Sequence, residues 1–462
     1  MDFRRFESVV FDKMAASRLP GLSVSLVRDG ELVYARGFGQ RDLARGLAAT
    51  PDTLYCIGSV TKSFTALAVL QLAERGLLRL DDPVSRHLPF DLEPYGEVVR
   101  LEHLLTHSTG LPALAYSEAV IRHANGTGGR YLPLSGPEDI LTFVQDAGDW
   151  AETRPGERWF YFNEGYALLG LIVQRVSGRS YTDYVKEEIL EPLGMSRRFF
   201  AREQLEAQSD VAVPYVLPEG GPPEPGHYVY RTIRSEGGLI SSVLDLARYL
   251  KVFLEGGAGV VSRESLAAMM MPRLPMPYCT APELFGSREP VRPDTYYGYA
   301  LSVDDDFFGR RLVFHGGSVL VATAHLAFLP DHGVGVALLA NGSSYPLSQL
   351  AETALACMLG EDPAELTVAL VEDVLGALVG RYETYRGTMR AKVRRQGDFL
   401  LLEIEDRAQP ERIILVPERL AWPEPAFFTL SAGRRLGVMF RREDDGVELL
   451  YERYKLRRMG PL

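Results

Sequence analysis

A serine followed three residues later by a lysine, Ser59 and Lys62, stands at the head of a long apolar run. The segment reads Ile57-Gly58-Ser59-Val60-Thr61-Lys62-Ser63-Phe64 and continues through Leu67, Val69, Leu70 and Leu72. These apolar residues share no single stripe, and a helix apolar on all sides is buried. Gly58 lets the chain turn tightly just before it. Ser59 then falls at the helix entrance, where hydroxyl residues are favoured. A spacing of three puts Ser59 and Lys62 on one face. A lysine at the head of a buried helix is costly unless it is paired or neutral. A neutral lysine beside a serine can take the hydroxyl proton and make that serine a nucleophile. Taken alone, the spacing more commonly marks an N-cap serine beside a lysine that reaches to water. The company the pair keeps has to decide.

Three later stretches supply further chemistry. Residues 155–166 contain Tyr161 and Asn163, a phenol and an amide that an extended backbone points to one side. Ser235-Glu236-Gly237-Gly238, running on to Ser242, is the second such stretch. Val313-Phe314-His315-Gly316-Gly317-Ser318 reads as a strand whose glycines permit close backbone approach.

The elements that must position these groups follow from period and turn chemistry. Residues 3–18 form an amphipathic helix with Phe6, Val9, Val10 and Met14 on one side. Residues 22–27 and 32–37 are strands joined at Asp29-Gly30, a strong hairpin signal. Residues 311–314, 322–329 and 334–340 are again β-rich, and 348–359 is a closing helix. The stretch between is mostly helical. The economical architecture is α+β: one antiparallel sheet joins the early hairpin to the late strands, helices flank it, and a mostly helical lobe packs beside it. Pockets form between such parts. Beyond residue 360 the pattern changes. Met389, Ala391 and Val393 alternate with Arg390, Lys392 and Arg394, and Leu400, Leu402 and Ile404 alternate with polar residues. Short alternating strands predict a C-terminal antiparallel β-barrel of about eight strands. The expected domains are 1–360, a linker over 361–378, and the barrel over 379–462.

The chain has 462 residues and a formal net charge of −11, which argues against nucleic acid or an anionic membrane as a main partner. Cys56, Cys279 and Cys357 are too few and too scattered for a metal site or a disulfide framework. No apolar signal follows the N-terminus, and no run approaches a membrane span. The expectation is a cytoplasmic protein acting on a small molecule or short peptide. No metal and no cofactor are expected, and homo-oligomerisation is left open.

Ser59-x-x-Lys62, Tyr161-x-Asn163 and His315-Gly316-Gly317, in that order, resemble the penicillin-recognising serine hydrolases. The similarity is to the class C β-lactamase-like branch with its D-aminopeptidases and esterases. Leu104 to Pro112, Pro155-Gly156, Glu191-Pro192-Leu193-Gly194-Met195 and Gly237-Gly238-Leu239 are similar to that branch as well. The tail resembles the lipocalin-like barrels appended to some of its peptidases. The resemblance implies a β-lactamase/transpeptidase-like fold over roughly residues 5–358 and a Ser59 acyl-enzyme. It also implies that Lys62 and Tyr161 share the proton work, with nearby cationic charge favouring a Tyr161 phenolate. Asn163 would orient Lys62 and the substrate amide. The N–H groups of Ser59 and Ser318 would form the oxyanion hole, beside Gly317.

One departure bears on substrate. Penicillin-targeting members carry Lys-Thr-Gly where this chain has His315-Gly316-Gly317, and a histidine lacks lysine's constant charge. If His315 faces the substrate, uncharged leaving sides are favoured over free carboxylates. Arg231, Arg234 and Arg292 are the cations that could stand in. The leading expectation is hydrolysis of small amides or peptides, D-residues included. A carboxylesterase using the same site, a β-lactamase or D,D-carboxypeptidase, and a non-catalytic ligand sensor are the alternatives. Of the other histidines, His103, His107, His123 and His325, structural roles are expected, with His107 the least settled.

Overall fold

The computed structural model describes residues 3–128, 131–230, 232–277, 282–285, 294–343, 347–405, 411–444 and 446–462. Arg231, Cys279 and Arg292 lie outside these. The chain divides into two compact units, residues 1–278 with 293–361, and 279–292 with 362–462.

In the first unit Asp29 and Gly30 both adopt positive φ (49° and 78°), the geometry of a tight two-residue hairpin. The hairpin strands are Gly21–Arg28 and Glu31–Asp42. Gly21–Arg28 pairs antiparallel with Val334–Ala340, in register from Leu22 opposite Ala340 to Arg28 opposite Val334. The first and last strands of the unit thereby meet as the third and fourth strands of a nine-stranded sheet. Val334–Ala340 is buried at every residue, so both faces of the sheet centre are covered. Val243–Leu254 packs against this strand, and Leu347–Leu359 packs against Thr323–Leu329. Ser242 caps the former helix, its Oγ accepting from the Asp245 N–H at 3.3 Å. The strand carrying His315 runs unbroken from Arg310 to Ser318. The helical lobe is built around Asn163–Ser177, which packs on Thr61–Glu74 and on the short helices Leu101–Leu105 and Tyr116–Ala124.

The second unit is a closed antiparallel barrel of eight strands, from Gly380–Glu383 to Tyr454–Gly460, with the last strand pairing with the first. The alternation seen in the sequence sorts side chains correctly. Ala391, Val393, Leu400, Leu402 and Ile404 point into a core completed by Tyr382, Phe427 and Phe440. Glu403, on the outer face, pairs with Arg394 and Arg412. Two boundary expectations need correction. Much of the stretch expected as a linker is the helix Thr367–Leu378, and its Val374, Leu375 and Leu378 are buried in the barrel core. Residues 282–285, assigned from sequence to the first domain, belong here: the Leu420 N–H donates to the Leu284 carbonyl at 2.5 Å. A pairing so distant in sequence leaves no local signal.

Among the described residues no helix is long and apolar enough to cross a membrane, and no cluster of three or more His, Cys, Asp or Glu could hold a metal ion.

Candidate active site

Ser59 lies in a 3-10 turn, Gly58–Val60, that feeds the helix Thr61–Glu74. It is not an N-cap: its hydroxyl caps no backbone group and faces Lys62 instead. Every residue from Thr61 to Leu72 is buried, as an all-round apolar helix requires, so Lys62 has no path to water. Its Nζ lies 3.0 Å from Ser59 Oγ, 2.8 Å from Asn163 Oδ1 and 2.6 Å from the backbone oxygen of Glu236. The last two are carbonyl oxygens and can only accept. In a neutral amine they take both N–H groups, which leaves the lone pair for the Ser59 hydroxyl. Burial pushes the Lys62 ammonium down to about 7, against the opposing pull of Glu236, Glu118 and Glu164.

The turn carrying Glu236 is tied to the same helix. Thr65 Oγ1 donates to the Ser235 carbonyl at 2.6 Å, and the Leu239 N–H donates to Thr61 Oγ1 at 3.2 Å. These bonds fix the Glu236 carbonyl over Lys62. The stretch from Ser235 singled out in the sequence thus supplies a backbone acceptor for the amine.

Tyr161 is held by His107 from both sides. The His107 carbonyl accepts from the Phe160 N–H at 2.8 Å, and its Nδ1 accepts from the Phe162 N–H at 3.0 Å. The two rings lie 4.3 Å apart. Burial drives the His107 imidazolium far below its ordinary range, so the ring is neutral. Lys62 Nζ sits 4.9 Å from the Tyr161 ring centre. Burial raises the Tyr161 phenol well above its ordinary value; its hydrogen bond with Ser59 opposes the rise and Glu118 adds to it. The electrostatics therefore favour phenol over phenolate, whereas the resemblance implied a phenolate, because burial of the ring outweighs the hydrogen bond that opposes it.

The glycines explain how the nucleophile turn and the strand approach. A Cβ on Gly317 would lie 2.1 Å from the Ile57 oxygen and 3.0 Å from the Ser59 nitrogen. A Cβ on Gly58, whose φ is +52°, would lie 2.8 Å from the Ser318 nitrogen. Only glycine at both positions lets the nucleophile turn and the end of this strand approach so closely. His315, by contrast, is turned inward and is 5% exposed. Its Nδ1 donates to the Gly316 carbonyl at 2.6 Å, and burial holds it neutral, down to about 3. Ser318 lines the cavity described next and His315 does not; the His315 ring lies on the Tyr161 side of the site, ring centres 6.4 Å apart.

That cavity has a volume of about 290 Å³ and is bounded by Ser59, Glu118, Asn163, Glu236 and Ser318 among others. Asn163 bridges it, accepting from Lys62 through Oδ1 and donating through Nδ2 to Glu118 Oε1 at 3.2 Å. Glu118 carried no sequence signal, since a single acid on a short helix resembles any surface residue. Arg234 lines a separate cavity of about 590 Å³ with Lys186, Arg198 and Arg202; it holds no serine–lysine pair, so size does not locate the chemistry here.

The beta-lactamase family model matches residues 6–357, three quarters of the chain. The chain belongs to the beta-lactamase family. A second model, the Pab87 octamerisation domain, matches residues 363–457 of this beta-lactamase-family chain. The octameric penicillin-binding protein homologue from Pyrococcus abyssi is 43% identical, over 99% of this chain and 100% of that one, with a TM-score of 0.91. Protein flp of Staphylococcus aureus strain MW2 is 28% identical over 76% of the chain, which spans 65% of that relative's length. A D-stereospecific amidohydrolase from Streptomyces shares the fold, at 21% identity over 78% of this chain and 99% of that one, with a TM-score of 0.60.

Proposed function

We propose that this chain hydrolyses small amides or short peptides through an acyl ester on Ser59, and that the substrate carries a free amine beside the scissile carbonyl. The carrying observation is the Lys62 amine, buried, near neutrality and aimed by two carbonyl acceptors at Ser59 Oγ. In this reading Lys62 takes the hydroxyl proton as Ser59 Oγ attacks the carbonyl carbon. The amides of Ser59 and Ser318 receive the developing oxyanion. Tyr161, a phenol, gives its proton to the leaving nitrogen, and the Lys62 ammonium restores it. Water then attacks the ester with the proton steps reversed, Tyr161 and Lys62 again sharing the work.

The free-amine specificity rests on Glu118, a carboxylate on the cavity wall next to Asn163 and suited to a substrate ammonium. A free carboxylate on the leaving side finds no cation at His315, which weighs against β-lactam or D,D-carboxypeptidase substrates. The intact Ser59–Lys62 contact weighs against a mere sensor. We further propose that the C-terminal barrel mediates homo-oligomerisation to an octamer and that the protein works in the cytoplasm. The deciding experiment incubates the full chain with D- and L-aminoacyl p-nitroanilides, p-nitrophenyl esters and a cephalosporin, and records intact mass. An acyl adduct is expected on wild type and absent from Ser59→Ala, whose activity falls about 10³-fold or more. A folded Ser59→Ala chain that keeps most activity overturns the reading.

A further inference from the structure

The cavity beside Ser59 has an apolar wall that the mechanism above leaves unused. It is made by Ile121 on the helix Tyr116–Ala124, by Ile233 just before the stretch that carries Glu236, and by Val319 and Leu320 in the turn that follows Ser318. Ile121 and Ile233 are 9% and 4% exposed, and the other two are half-buried. Ile121, Ile233 and Val319 also bound a void of about 10 Å³, so the three adjoin one another. Val319 and Leu320 pack as well on the small apolar cluster of Tyr228, Val321 and Ala322, which holds the wall in place. Leu320 adopts a φ of +66°, a conformation that glycine takes readily and leucine does not. A leucine kept there serves through its side chain. The wall reaches the reacting serine: a Cβ on Gly237 would meet Ile233 Cγ2 at 3.4 Å and the carbonyl carbon of Gly58 at 3.6 Å. One methyl group thus spans the distance from Ile233 to the nucleophile turn.

Resting on the hydrolase reading, we propose that this wall is the subsite for the side chain of the acyl residue, and that the substrate class is aminoacyl amides whose N-terminal residue carries a branched aliphatic or aromatic side chain. Glu118 and Ile121 are three apart on one helix, so they stand on one face with Cβ atoms about 5–6 Å apart. An aminoacyl group carries its ammonium and its side chain on one carbon, and that spacing receives both at once. The volume of about 290 Å³ lies at the lower limit of small-molecule sites, roughly 300 Å³, which suits one residue and not a longer acyl chain. The other charged groups of the lining offer a charged side chain little. The Glu236 carboxyl already receives the Tyr116 hydroxyl and the Arg234 N–H, and Arg122 is exposed to solvent.

The test compares kcat/KM on the full chain for D- and L-aminoacyl p-nitroanilides of alanine, leucine, phenylalanine, glutamate and lysine, with intact mass recording the Ser59 adduct. In the faster enantiomer series, burial of the larger apolar side chain should favour leucine and phenylalanine over alanine by roughly 10–100-fold. Glutamate and lysine should do no better than alanine. Leu320→Gly removes the side chain from a backbone that suits glycine, and the leucyl-to-alanyl ratio should fall several-fold. Gly237→Ala, the second variant should the first not fold, adds a methyl in ordinary contact with Ile233 and should lower the phenylalanyl-to-alanyl ratio. Equal rates across the series, a preference for glutamate or lysine, variants that slow every substrate alike, or an adduct from p-nitrophenyl acetate and from no anilide overturn the proposal while the hydrolase reading stands. Wild type that forms no Ser59 adduct with any of these probes overturns both.

Discussion

The Tyr297 hydroxyl and His315 Nε2 lie 3.0 Å apart, and the direction of that bond is fixed. Because His315 Nδ1 gives its proton to the Gly316 carbonyl, Nε2 of the neutral ring accepts and Tyr297 donates. Both ring nitrogens are therefore occupied inside the protein. His315→Lys would place an ammonium in this buried niche instead of presenting it to substrate. The expected outcome is a loss of about 3–5 kcal/mol of stability, of the order for an uncompensated buried charge, with no gain for carboxylate-bearing substrates. Thermal melts and a comparison of aminoacyl anilide with cephalosporin turnover check this. A stable variant that turns over the cephalosporin faster contradicts the inward placement.

Lys62 works as a base only when neutral. Burial lowers its ammonium from an ordinary value of 10.5 to about 7, so the neutral fraction grows as pH rises through 7. kcat/KM is expected to climb from pH 5 and level off above about 8. Tyr161, raised by burial, contributes no limb in this range. A profile flat from pH 5 to 8 would remove Lys62 from the base role.

Glu118→Gln separates substrate classes. A charge-assisted hydrogen bond contributes about 1.5–3 kcal/mol, so aminoacyl anilides should lose roughly 10–100-fold in kcat/KM. An acetyl ester, which has no ammonium, should change little. Equal losses on both would show that Glu118 acts through Asn163 and Lys62, not on the substrate.

Gly317→Ala tests the approach of strand and nucleophile turn. The new methyl would sit 2.1 Å from the Ile57 oxygen and must push the two apart. Loss of one oxyanion donor costs about 10²–10³ in kcat, and a loss of that size is expected with KM changed far less. An active variant with an unshifted Ser59–Ser318 spacing in its crystal structure would place the oxyanion site elsewhere.

The barrel makes a separate claim. Light scattering on the full chain is expected to give eight times the chain mass. Deleting residues 379–462 should leave a smaller species. A full-length monomer would refute the assembly role.

Much of this protein is written locally. Asp29-Gly30, the all-round apolar run after Lys62 and the period-two alternation from Met389 fix a hairpin, a buried helix and a barrel, because turn sterics and side-chain period act between near neighbours. Ser59, Lys62, Tyr161 and Asn163 were singled out by type and spacing and Gly317 by its place in a glycine-bearing strand, whereas Ser318 came only from the family resemblance. Their chemistry was not legible in that way. Asn163 and Glu236 lie 101 and 174 residues from the lysine they orient. The inward turn of His315, the clamp of His107 on Tyr161 and the acid at Glu118 arise only when distant segments pack. The charge states followed from burial, and burial belongs to the packed tertiary structure: excluding water brings the Lys62 amine towards neutrality and keeps the Tyr161 phenol protonated.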